Sequence, residues 1–324
     1  MSKNIYVTRR IPEIGLKMLR DKGYNVDVRD SDMPPTCEEL NTQLKGKSYD
    51  VVVTLLTDKI DSEVYEANPG VKLYANYAIG FDNIDIVEAK KRGIYITNTP
   101  GAYANCVAEH AIALMLALTT RLVEGNEYVR AGKYKCWSPD IFIGTDLSGK
   151  TLGLIGAGRI GEKVAWRLMH GFDMKIIYHD IKRNETLDRE DRAVFKPTIE
   201  EVLREADIVT LHTPLLPDTK HLINEDRLRM MKPTAFLINT SRGPVVDEKA
   251  LLKALKEGWI KGAGLDVMEF EPNPVPGLTD LDNVIITPHI ASARQVARDE
   301  MATVLADNII DFFEGKEPRN NVAK

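Results

Sequence analysis

Gly156-Ala157-Gly158-Arg159-Ile160-Gly161 sets three glycines in the spacing GxGxxG, and Asp180 follows 19 residues after the last of them. Glycines so placed permit a tight turn at Gly156, let the backbone approach a pyrophosphate at Gly158, and let a helix pack closely on a sheet at Gly161. The N-terminus of that helix then offers unbonded N–H groups to phosphate. A carboxylate at Asp180 can accept hydrogen bonds from ribose hydroxyls and repels a 2′-phosphate, which points to NAD and makes NADP the less favoured cofactor. Lys182 and Arg183 stand close behind and could in principle serve a phosphate. Two further side chains suit an oxyacid. The guanidinium of Arg242 can hold a carboxylate and polarise a carbonyl, and the imidazole of His289, with an unperturbed pKa of about 6.5, can hand over a proton. Alone, each has a structural explanation, Arg242 in a buried ion pair and His289 as a residue after proline. Their joint occurrence after predicted strand ends favours chemistry, because ligands of open α/β sheets gather beyond the carboxyl ends of strands.

The elements that must position these residues are short apolar runs alternating with helix-period segments from end to end, the pattern of parallel sheets covered by helices. The expected class is α/β, two doubly wound Rossmann-like sheets with a cleft between them. Strands are expected at 5–8, 24–28, 51–55, 71–76 and 94–97, and in a second series at 151–155, 175–178, 208–212, 235–239, 263–267 and 284–287. The glycine motif follows the first strand of the second series and opens a helix in which Ile160, Val164, Leu168 and Met169 form one face. Pro12 and Gly23 bracket the first helix in the order that suits a helix start and a left-handed exit. A long apolar helix is expected over 106–120, then an irregular arm holding Trp137, Pro139 and Gly144. A final helix over 293–314 carries Met301, Val304, Leu305, Ile309 and Phe312 on one stripe before Gly315.

Composition narrows the classes. A chain of 324 residues exceeds what one hydrophobic core usually organises, so two domains are expected. The net charge is −5 and no basic stripe stands out, which argues against nucleic acid. No apolar run approaches the length of a membrane span. Cys37, Cys106 and Cys136 lack the pairing of a disulfide framework or a zinc site, and the N-terminus lacks the zones of a secretory signal, so a cytoplasmic protein without a metal is expected.

The sequence resembles the D-isomer-specific 2-hydroxyacid dehydrogenase family over essentially its whole length. The resemblance is carried by the run from Asn76 to Asp85, Val107-Ala108-Glu109-His110, the GxGxxG motif, Asn239-Thr240-Ser241-Arg242-Gly243, Gly264-Leu265-Asp266-Val267, Glu269-Phe270-Glu271-Pro272 and Thr287-Pro288-His289-Ile290. Within the family, the run from Asn76 to Asp85 and Leu255-Lys256-Glu257-Gly258-Trp259-Ile260 look most like the glyoxylate and hydroxypyruvate reductases.

The resemblance implies reduction of a small 2-oxo acid, or oxidation of the 2-hydroxy acid, with Arg242, Glu271 and His289 as the catalytic set and Glu271 favouring the imidazolium of His289. It implies cofactor contacts at Val107, Gly156, Gly158, Arg159, Ile160, Gly161, Asp180, Thr240, Ser241, Arg242, Asp266 and His289. Substrate contacts are implied at Ala78, Ile79, Gly80, Arg242 and His289, with Leu55 narrowing the pocket. Phosphite-oxidising relatives carry a lysine where Ile79 stands, so phosphite is disfavoured.

It further implies a substrate domain of residues 1–99 plus 291–324, an inserted cofactor domain of 100–290, and a homodimer in which Trp137 reaches the neighbouring active site. Because the sequence ends shortly after the last helix, the regulatory domain of many phosphoglycerate dehydrogenases is not expected. D-lactate oxidation and a short-form D-3-phosphoglycerate dehydrogenase remain alternative activities. An alternative of another class is a binding protein like the family's NAD(H)-sensing corepressors.

Overall fold

The computed structural model describes residues 3–101 and 103–324. The chain divides into two compact units, Met1–Ala102 with Ala293–Lys324, and Tyr103–Ser292. In the first unit, β1 (Asn4–Val7), β2 (Asn25–Val28), β3 (Val51–Leu55), β4 (Leu73–Tyr77) and β5 (Tyr95–Thr97) form one sheet in the order β2-β1-β3-β4-β5, every pair parallel. This is the flavodoxin-like order of doubly wound folds. Because a parallel sheet is covered on both faces, β3 is apolar at consecutive positions and its alternate residues enter different cores. Val51 and Val53 join Ile5, Val7, Leu16, Leu19, Met301, Leu305 and Ile309 on one face, whereas Val52 joins Tyr6, Leu40, Leu44, Val64, Tyr65 and Tyr74 on the other.

The last helix, Gln295–Phe313, returns to pack on the first, Glu13–Asp21. A Cβ at Gly15 would sit 2.5 Å from the carbonyl oxygen of Ala302, so the two backbones meet where no side chain fits. The last helix begins two residues later than its expected start, and Gly315 leaves it with φ +75° as anticipated.

The second unit opens with the helix Ala104–Thr119, ten of whose sixteen residues are buried. At Arg121 the backbone turns left-handed, φ 55°, and a second helix, Leu122–Arg130, leaves at 62° to the first. That second helix corrects the expectation of an irregular segment directly after Thr120. It buries none of its residues, so the core-facing stripe by which a sequence usually betrays a helix is missing. Among the described residues no single helix is long and apolar enough to cross a membrane.

The sheet of this unit runs β12-β11-β10-β9-β6-β7-β8, all parallel, from β6 (Thr151–Ile155), β7 (Lys175–His179), β8 (Ala193–Phe195), β9 (Ile208–Leu211), β10 (Phe236–Asn239), β11 (Gly262–Leu265) and β12 (Val284–Ile286). The chain reverses its direction of travel between β6 and β9, the switch point at which doubly wound sheets bind dinucleotides. The edge strand β8 is not among the strands read from the sequence. It has three residues, and Val194 at its centre is half exposed, so no apolar run announces it.

Candidate active site

The glycine loop leaves β6 at Gly156, where φ is +93° and a Cβ would lie 2.6 Å from the carbonyl oxygen of His212. Only glycine meets both demands. Gly161 lies in the first turn of the helix Arg159–Phe172, and a Cβ there would come within 2.2 Å of the Gly156 carbonyl oxygen. At Gly158, in contrast, nothing lies within 4 Å of that position, and no side chain caps the helix. Two glycines are therefore required for packing, while the middle one faces open space at the positive end of a helix of 14 residues.

Asp180 follows β7 directly, and its Oδ2 accepts the Ala157 N–H at 2.7 Å. Asn184 secures the same loop, donating to Ala157 O at 2.7 Å and to Glu162 Oε2 at 3.0 Å. Arg183 is taken up by Asp188 at 2.8 Å and lies over the ring of Phe195. The hydroxyls of Thr213 and Thr240, just past β9 and β10, are buried without a protein partner. An uncapped helix end beside an open glycine, a carboxylate at the strand end and two orphaned hydroxyls fit a bound dinucleotide, which Gly156 to Gly161, Asp180 and Thr240 would hold.

Arg242 sits in a turn built by Asn239, the buried last residue of β10. Asn239 Oδ1 accepts from Ser241 N at 3.0 Å and Ser241 Oγ at 2.7 Å, and its Nδ2 donates to Arg242 O at 2.9 Å. Such side-chain bonds to nearby backbone are how asparagine shapes a turn. The next residue, Gly243, presses against the chain following β11, and a Cβ there would lie 1.8 Å from Met268 O and 2.5 Å from Glu269 N. The Arg242 turn is thereby seated on the segment that leads to Glu271. Burial pushes the phenol of Tyr103 up to about 12, and the charges of Arg159 and Arg242 oppose that shift, so the glycine-loop helix and the Arg242 turn share one electrostatic neighbourhood.

His289 follows β12 in a left-handed turn, φ 53°, and its Nδ1 lies 3.2 Å from Glu271 Oε2. Both side chains are about three-quarters covered, at 23% and 26% exposure, so the ring is held and still reachable. Asp266 is fully buried and organises the turn. Its Oδ1 accepts from Thr287 Oγ1 at 2.6 Å and Ile290 N at 2.9 Å, its Oδ2 from Ala291 N at 2.8 Å, and its carbonyl from His289 N at 2.8 Å. Burial works to raise this carboxyl, but hydrogen bonds from His110, Thr287 and the two amides outweigh it and hold the group below its usual range.

In the first unit, the loop after β4 has all three of its carbonyls engaged. Ala78 O accepts from Thr99 N, Ile79 O from Asn98 Nδ2, and Gly80 O from Asn76 Nδ2. Among the described residues no acceptor meets the N–H groups of Ile79 and Gly80, the property a carboxylate-binding loop needs. Leu55, at the end of β3, packs against the core of its own unit.

Residues 112–291 match the NAD binding domain of the D-isomer specific 2-hydroxyacid dehydrogenases. Glyoxylate reductase of Pyrococcus horikoshii is 49% identical over 322 residues, covering 98% of this chain and 95% of its own, and that of Thermofilum pendens is 50% identical over 316 residues, covering 97% and 92%. The chain belongs to the D-isomer specific 2-hydroxyacid dehydrogenase family. Among solved structures, a Thermus thermophilus protein superposes with a TM-score of 0.91 at 42% identity, covering 98% of this chain and 99% of its own. An NADPH-dependent glyoxylate/hydroxypyruvate reductase from Sinorhizobium meliloti, in complex with NADP and malonate, gives 0.86 at 31% identity with coverage of 100% and 97%.

For a member of this dehydrogenase family, the residues expected from the sequence fall as follows. Gly156, Gly158, Arg159, Ile160, Gly161 and Asp180 gather at the switch point, and Thr240, Ser241 and Arg242 share one turn. His289 pairs with Glu271, and Asp266 stands behind them. Val107 is buried on the helix Ala104–Thr119. Trp137 lies in the segment without helix or strand that precedes β6 and is 76% exposed, so it is not packed into its own chain. Asn239, Asn76 and His110 stand in the motifs quoted for the resemblance but were given no role there. An asparagine closing a strand directly before a turn was the available signal for the first. For His110 it was a lone polar ring in an apolar helix.

Proposed function

We propose that this chain reduces glyoxylate, hydroxypyruvate or a similarly small 2-oxo acid to the 2-hydroxy acid with NADH. When bound on the glycine loop, the reduced nicotinamide supplies the hydride. Arg242 then holds the substrate carboxylate and draws electron density from the carbonyl, favouring charge on its oxygen. The oxygen needs a proton as that charge develops. Glu271 engages Nδ1 of His289 at 3.2 Å and fixes the ring, which leaves Nε2 to deliver it. Hydride and proton together convert the carbonyl to the alcohol, and oxidation is the reverse.

The observation that carries this reading is the His289–Glu271 pair at 3.2 Å, in a unit whose glycine loop fits a dinucleotide. His289→Ala is expected to cut keto-acid reduction by roughly a hundredfold or more while NADH affinity is nearly unchanged. Near-normal turnover by that variant overturns the reading. NADH absorbance followed with glyoxylate, hydroxypyruvate, pyruvate and phenylpyruvate ranks the substrates, and turnover of none would favour a binding protein.

The active form proposed is a cytoplasmic homodimer joined through the segment that holds Trp137. Support comes from Trp137 in that segment and from Leu122 and Val129 on the helix before it, which are 76%, 65% and 58% exposed. Sedimentation at the mass of one chain would refute the dimer.

A further inference from the structure

His110 is buried on the apolar helix Ala104–Thr119 and takes no direct part in the proposed chemistry. Its Nε2 lies 3.0 Å from Thr287 Oγ1 and 3.2 Å from Asp266 Oδ1. The Thr287 hydroxyl has one proton and gives it to Asp266 Oδ1 at 2.6 Å. It must therefore accept from His110, so Nε2 carries a hydrogen and faces two acceptors. These three side chains close a triangle beneath the left-handed turn that carries His289. One corner is Thr287, two residues before His289, and another is Asp266, which binds the amides of His289, Ile290 and Ala291 through its carbonyl and carboxylate.

We propose that His110 is a positioning residue for the proton transfer, holding Thr287 and Asp266 so that the His289 turn presents its ring to Glu271 and the substrate. The inference rests on the reading of His289 as proton donor. An apolar residue at position 110 fills the same space but removes the donor between Thr287 and Asp266. The hydroxyl and the carboxylate can then rotate apart, and the turn they hold gains freedom. Misplacement of about 1 Å at a reacting group lowers the rate far more than it weakens ground-state binding. The signature is thus a loss in kcat with KM and cofactor affinity retained.

The test compares His110→Leu, His110→Gln, Thr287→Val and Thr287→Ser in the full chain, measuring glyoxylate reduction with NADH, NADH affinity by fluorescence titration, and the melting temperature. His110→Leu is expected to lower kcat by roughly 10- to 100-fold with the glyoxylate KM and NADH Kd within about threefold of the parent. His110→Gln carries an N–H donor at a similar reach and is expected to recover most of the loss. Thr287→Val should resemble His110→Leu, and Thr287→Ser the parent. If His110→Leu does not fold, the two threonine variants decide the matter. Parental kcat in His110→Leu, a loss that glutamine does not recover, or a kcat that falls in step with NADH affinity and melting temperature overturns the proposal. His289→Ala, run alongside, separates the two claims. If that variant keeps its turnover, the proton-donor reading fails; if it is inactive while His110→Leu is unimpaired, only the positioning role fails.

Discussion

Gly243→Ala adds one methyl group where the Arg242 turn meets the chain leading to Glu271. The added Cβ would lie 1.8 Å from Met268 O, 2.0 Å from Met268 C and 2.5 Å from Glu269 N. All three are backbone atoms, so no rotamer change relieves the overlap. Restoring the 3.4 Å of an ordinary contact moves the two segments apart by about 1.6 Å, in a packed interior that does not compress. Inserting a group into such a contact typically costs about 1–3 kcal/mol, with more expected against backbone, or roughly 2–4 °C in Tm per kcal/mol for a unit of this size. Because Arg242 adjoins one segment and Glu271 follows the other, displacement on the order of 1 Å should also cost about 100-fold in kcat/KM. Gly125→Ala is the control. It lies in the exposed helix Leu122–Arg130 with nothing within 4 Å of a Cβ, and is expected to keep activity while gaining up to about 1 kcal/mol of stability. Calorimetry and glyoxylate reduction on both variants give the answer. A Gly243→Ala protein with parental Tm and parental kcat/KM would refute the claim that this contact seats the arginine turn.

Asp180→Asn keeps an oxygen for the Ala157 N–H and removes the charge, so the ratio of kcat/KM for NADH over NADPH should fall at least tenfold, about the energy of one charged contact. Asp180→Ala should in addition raise KM for both cofactors because the loop loses its anchor. An unchanged ratio in both variants would place cofactor choice elsewhere. Glu248 is buried, and burial followed by the charge of Glu269 raises its pKa above the ordinary 4.5, against hydrogen bonds from backbone N–H groups. The protonated form is thus favoured by folding, and that contribution is complete below pH 4.5 and lost as pH rises through the folded-state value. Glu248→Gln should therefore show a higher urea midpoint than the parent at pH 8, with the gap closing toward pH 4.5, and equal midpoints throughout would contradict the assignment.

Local periodicity and spacing made much of this molecule legible. The strand β6, the helix after it and the glycines between them are consecutive in the chain, and their demands on φ, close approach and apolar pattern act within a few residues. The positions of Arg242 and His289 were legible for a similar reason, since each comes shortly after a run that reads as a strand, and the structure puts them just past β10 and β12. The helix Leu122–Arg130 and the strand β8 were not, because neither buries the apolar stripe or run that reveals an element. Only the tertiary structure decided what stands behind the site. His110 meets Thr287 across 177 residues of sequence, and Gly243 is a glycine because Met268, 25 residues on, occupies the space of its side chain. Spacing along a chain governs neighbours on one helix or turn. Hydrogen bonds and close approaches between segments depend on which strands lie side by side, and that follows from the order β12-β11-β10-β9-β6-β7-β8, in which burial of both sheet faces brings distant segments together.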